Sequence, residues 1–112
     1  METILVISNL PDRGSAESLA RAVVELRLAA CANVMAPCAS VYRWQGKVET
    51  ATEVPVLMKT TRERYAALEA AIKARHPYEL PEIIAVPVSA GLLGYLSWVA
   101  AETTVAAKTA EE

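Results

Sequence analysis

Apolar and polar positions alternate along this chain in blocks of changing period. Thr3–Asn9 is a short apolar run, read as a buried strand from its length and β-branching. Pro11-Asp12-Arg13-Gly14 is a loop. Ser15 is placed to cap a helix whose face is Leu19, Val23, Leu26 and Ala30, at helical spacing. A hairpin from Cys31 to Thr60 follows, folded at Gln45-Gly46. Thr60 and Glu63 have the spacing of a capping box for a second helix with face Tyr65, Leu68 and Ile72, ending near Arg75 ahead of Pro77. Ile83–Val88 reads as a second buried strand. Ser89 is placed to cap a third helix through Leu92, Leu93, Leu96 and Val99. Ala101–Glu112 reads as a fraying helix end or tail.

The hairpin is long for so small a chain. Each arm, Cys31–Trp44 and Lys47–Thr60, would span roughly 45 Å at about 3.3 Å per residue. A compact chain of this size has a radius of gyration of only about 13 Å. A two-residue turn pairs Trp44 with Lys47, Tyr42 with Glu49 and Ser40 with Ala51. Carried further, that register puts Pro37 and Pro55 on nearly one rung. Proline has no ladder donor, so the pairing is expected to break or bulge there, bending the outer part towards a neighbour; the alternative is that Pro37 starts a shorter strand.

The element order β-α-β-β-α-β-α, with right-handed crossovers, gives an α+β, ferredoxin-like split β-α-β domain with a long central hairpin and an extra C-terminal helix. Both main helices fall on one face of the sheet. The other face has no helix, although both strands flanking the hairpin are apolar throughout. Long arms and a bare apolar face both lead to an oligomer, with a homotrimer meeting both demands and a dimer covering the faces alone.

Composition agrees. The apolar fraction is 54% and the mean hydropathy +0.25, high for a small soluble monomer. We expect one domain over residues 1–112. No signal peptide or membrane span is recognisable, so a cytoplasmic location without membrane attachment is expected. Net charge is −2 and the basic residues are dispersed, which argues against nucleic acid. The two cysteines form neither a disulfide framework nor a CxxC site. Seven positions apart, Cys31 and Cys38 face opposite sides of a regular strand, unless a bulge at Pro37 alters this.

Candidate chemistry is sparse. His76, the lone histidine, reads as a metal ligand, proton carrier or ligand clamp, or as a residue bonding the last helix carbonyls. Cys31 and Cys38 are soft-metal donors as thiolates; for Cys31 the alternative is a small buried hydrophobe. Glu79 and Glu82 read as acceptors for a metal or amine, or as solvated carboxylates. Trp44 at the hairpin tip should pack on another chain or line a cleft. Lys59 either charges such a cleft or is solvated. Tyr95 and Trp98, three apart on the last helix, read as core. No nucleophile elbow, phosphate loop or HExxH is present, and the protein is not expected to be an enzyme.

Leu28-Ala29-Ala30-Cys31-Ala32-Asn33, Ser40-Val41-Tyr42-Arg43-Trp44-Gln45-Gly46-Lys47, Leu57-Met58-Lys59-Thr60, His76-Pro77-Tyr78-Glu79-Leu80-Pro81-Glu82-Ile83-Ile84 and Tyr95-Leu96-Ser97-Trp98, in that order, resemble the CutA divalent-cation tolerance family. The resemblance covers nearly the whole chain. It implies a PII-like trimer involved in tolerance to copper and other divalent metals, with no established reaction. The metal reading rests on Cys31, Cys38 and His76, with copper or another divalent cation as ligand. Trp44, Lys59, Tyr78, Glu79 and Trp98 match recurrent family side chains that the resemblance gathers at subunit clefts. A PII-like signalling or scaffold trimer, binding a small ligand or an unidentified partner protein there, is the alternative. Two departures stand out: Cys38 where glycine is expected, and Pro55 within an apolar arm.

Overall fold

A computed structural model describes residues 1–104. Five strands form one antiparallel sheet: β1 (Thr3–Leu10), β2 (Cys31–Val34), β3 (Cys38–Trp44), β4 (Lys47–Thr61) and β5 (Ile84–Pro87). The order is β2-β4-β1-β5, and β3 pairs with the outer half of β4. Helices α1 (Arg13–Glu25) and α2 (Tyr65–Arg75) pack on one face. There Leu19, Val23, Leu68 and Ile72 meet Ile4, Val6, Val56 and Met58 in a buried core. Helix α3 (Leu93–Thr103) follows β5.

The expected turn and register hold. Trp44 pairs with Lys47, Tyr42 with Glu49 and Ser40 with Ala51. Gln45 (φ 51°) and Gly46 (φ 81°) both take positive φ, the signature of a type I′ turn whose twist suits the flanking strands. The break near the prolines is a bulge. Along β3 the paired residue numbers add to a constant, Cys38↔Glu53 through Trp44↔Lys47; along β2, Cys31↔Lys59 through Val34↔Val56, they add to one less. Three residues, Met35 to Pro37, therefore stand opposite two, Val54 and Pro55. The Met35 N–H donates to the Pro55 carbonyl at 2.9 Å. A residue in an antiparallel strand aims its N–H and C=O to the same side. The missing donor of Pro55 thus falls at the bulge, and the ladder to β1 loses nothing. The bulge also reverses side-chain parity, so Cys31 and Cys38 share a sheet face.

Three helix starts differ from expectation. Asp12, not Ser15, caps α1: its carboxylate accepts the Ser15 N–H at 2.7 Å. Thr60 does not cap α2. It lies within β4 with its hydroxyl donating to the buried Leu28 carbonyl at 2.7 Å, and a 3₁₀ turn, Arg62–Arg64, precedes the helix. Ser89 lies four residues before α3, which starts without a side-chain cap after Leu92. At Thr60 a tertiary hydrogen bond took the hydroxyl that the local pattern assigned to a cap. The α1 face is also shorter than its periodicity suggests, because Leu26 is half exposed beyond the helix end. Of the α3 face, Val99 is buried but Leu92 and Leu93 are almost fully exposed in the single chain. Within the tail expected over 101–112, α3 runs to Thr103; residues 105–112 lie outside the described residues.

Candidate functional site: an aromatic and acidic cleft

The outer hairpin bends over the segment between α2 and β5, enclosing a cleft of about 730 Å³. Parity brings Ser40, Tyr42 and Trp44 of β3 onto one face with Glu53 of β4. Opposite stand Tyr78, Glu79 and Leu80 of the proline-bounded segment, which cannot join a helix. Asn9 at the end of β1 and Glu82 close the floor, the Asn9 amide donating to the Glu82 carboxylate at 3.0 Å.

His76 holds this segment in place. Its Nδ1 accepts the Tyr78 N–H at 3.2 Å, so the ring proton sits on Nε2 and is donated to the Asn9 carbonyl at 2.7 Å. Its ring lies 4.7 Å from that of Tyr78, tilted by 53°. The residue is buried, and both ring nitrogens are used. His76 therefore joins β1 to the cleft wall; it does not bond the end of α2.

Desolvation first, then the neighbouring Glu53 carboxylate, push Tyr78 up to about 12. The phenol stays a neutral donor at physiological pH. Glu53 is the unusual member. It is nine-tenths buried, yet no lysine or arginine pairs with it among the described residues. It was not recognised as a site residue from sequence, because only the parity of the hairpin and the fold of the 76–82 segment place it in the cleft.

Trp44, Tyr78 and Glu79 thus come together; Lys59 and Trp98 do not join them. The Lys59 ammonium donates to Oδ1 of Asn33 in β2. Trp98 stacks with Tyr95 at 5.6 Å, and both are partly exposed in the single chain rather than core residues. Tyr95 also lies against Cys31: desolvation first, then that thiol, raise the phenol above its usual range. Cys31 is half-buried and Cys38 exposed. Their β4 partners, Lys59 and Glu53, are six residues apart, about 20 Å along the strand at about 3.3 Å per residue. Cys31, Cys38 and His76 do not form one ligand set within a chain. Among the described residues, no three His, Cys, Asp or Glu side chains converge as metal ligands, so one chain alone does not fit a closed metal centre. No described helix is long and apolar enough to cross a membrane.

The chain matches the family model of the CutA1 divalent ion tolerance protein over residues 4–102. It is 42% identical over 103 residues to the divalent-cation tolerance protein CutA of Thermus thermophilus, spanning 92% of this chain and 99% of that protein. The crystal structure of CutA from Xylella fastidiosa superposes with a TM-score of 0.89 at 44% identity, covering 93% of this chain and all of the other. A structure from Archaeoglobus fulgidus, described as a periplasmic divalent cation tolerance protein CutA, does so with a TM-score of 0.88 at 34% identity, covering 91% and 99%. Matched over nearly its whole length in both sequence and fold, this chain belongs to the CutA1 divalent ion tolerance family.

Proposed function

We propose that this chain contributes to divalent-cation tolerance, copper foremost, as a homotrimer of ferredoxin-like subunits that takes up metal through its thiols. The observation that carries the reading is the family match over 4–102, backed by relatives named for divalent-cation tolerance. The strand order, with α1 and α2 together on one face, supports the ferredoxin-like description. Exposed Ile84, Val86, Leu92, Leu93 and Trp98 support assembly, since so much apolar surface is costly on a monomer. Thiolates select soft ions such as Cu(I). The exposed Cys38 is the more accessible donor, and thiols from different copies would have to complete a site that one chain lacks. Metal uptake in this reading is tied to assembly. A cytoplasmic location fits it, because that compartment keeps thiols reduced.

The test is copper titration of the reduced protein, with sedimentation of the same samples. The expected result is a trimer binding copper at a fixed ratio, with binding lost in the Cys31→Ser/Cys38→Ser double variant. A trimer that binds none tightly, or a double variant that binds as before, overturns the thiol reading.

A further inference from the structure

The cleft carries two features that the metal reading does not use. One is aromatic: Tyr42 and Trp44 on the hairpin arm, Tyr78 on the opposite wall. The other is acidic: Glu53 inside and Glu79 at the rim. Among the described residues no group of three His, Cys, Asp or Glu converges as metal ligands, here or elsewhere. A hard divalent cation needs several oxygens at 2.0–2.6 Å, which this cleft lacks.

Glu53 adds an independent indication. A buried carboxylate without a basic partner is costly, and proteins ordinarily neutralise or pair such a group. Tyr78 lines the same cleft, and among the described residues no basic side chain pairs with the Glu53 carboxylate. What is missing is a cation of a size to fill a cleft rather than sit at a point. Aromatic faces attract organic cations through the ring quadrupole, and more strongly where water is excluded.

We propose that this cleft is a binding site for a small organic cation bearing a primary alkylammonium group. The ammonium donates to the Glu53 carboxylate, with Glu79 adding negative field at the mouth. Tyr42, Trp44 and Tyr78 surround the charged head, and the alkyl portion runs out along Leu80. Tyr78 lines the cleft beside Glu53, and His76 positions Tyr78 by accepting its N–H. No thiol lines the cleft, so the proposal does not rest on the copper reading, although Cys38 stands opposite Glu53 across the hairpin.

The test is isothermal titration of the whole protein with n-butylammonium chloride at constant ionic strength, with n-butanol as a neutral probe of similar size. Saturable binding of butylammonium and not butanol is expected, weakened about tenfold or more in Glu53→Gln, which corresponds to about 1.4 kcal/mol. Glu79→Gln, at the exposed rim, should fold as wild type and weaken binding less. The Cys31→Ser/Cys38→Ser protein should bind butylammonium unchanged, which separates this proposal from the metal one. Without ligand, Glu53→Gln should melt at the same temperature or higher, because it removes a buried carboxylate that no described basic residue pairs. Equal binding of butanol, or none of butylammonium, overturns the proposal. So does a Glu53→Gln protein that melts lower and loses its assembly, since Glu53 would then be paired by a basic residue of a second copy.

Discussion

A single phenol shows how environment assigns a role to a residue whose sequence context is ambiguous. Tyr78 ionises at about 12 in the folded chain, against an ordinary value of about 10 for an unfolded one. Above pH 10 the unfolded chain releases this proton while the folded one retains it. Stability is therefore fully present below about pH 10 and is lost as pH rises towards 12. Denaturant titrations across that range should show the decline, and Tyr78→Phe should flatten it; an equal slope in the variant would assign the decline elsewhere. The sequence pointed to Tyr78, Glu79 and Trp44, because a proline-bounded segment and a hairpin tip are legible places for function. Glu53 was not legible. Its neighbours Thr52 and Val54 give no sign of burial, which depends on a wall 25 residues further along the chain.

At the level of elements, local chemistry was read well where backbone conformation dictates residue type and poorly where packing does. Gln45-Gly46 demands positive φ, so turn, register and bulge all followed from it. The Thr60–Glu63 pattern had a competitor, the Leu28 carbonyl, that no local window contains. The end of α1 went unread for a related reason. Arg27 occupies the left-handed position of a Schellman motif (φ 59°), where glycine is usual: Leu28 N–H bonds the Val23 carbonyl and Arg27 N–H the Val24 carbonyl. Its guanidinium donates to the Ala101 carbonyl at 3.1 Å and lies 3.8 Å from Glu102, tying α1 to α3. Arg27→Gly should relieve about 1 kcal/mol of backbone strain and give up an exposed tie of similar size. We expect overall stability to change by less than about 1 kcal/mol. Amides of α3 should exchange faster with solvent; unchanged exchange there would mean that the tie holds nothing.

On the scale of the whole molecule, the outer hairpin draws the chain out to 51 × 33 × 23 Å, with a radius of gyration of 15.1 Å. That exceeds the roughly 13 Å of a compact chain of this size, as the length of the arms foretold. Leu5 and Ile7 lie on the face away from α1 and α2, beside Val86 and Ile84 of β5, which remain almost half exposed. If that face is the seam of the proposed trimer, Val86→Glu should leave the circular dichroism spectrum intact and shift sedimentation to a smaller species. An unchanged particle would place the seam elsewhere.

The bulge at Met35–Pro37 has a further meaning for how such a protein can change. It absorbs a one-residue offset between an inner hairpin secured by the core and an outer hairpin secured by its own turn. Substitutions between Cys38 and Glu53 can therefore alter the chemistry of the cleft without passing a change of register back into the core. In heredity as in the laboratory, that makes the outer hairpin an editable part. A family built this way can keep one scaffold while its members diverge in what they hold.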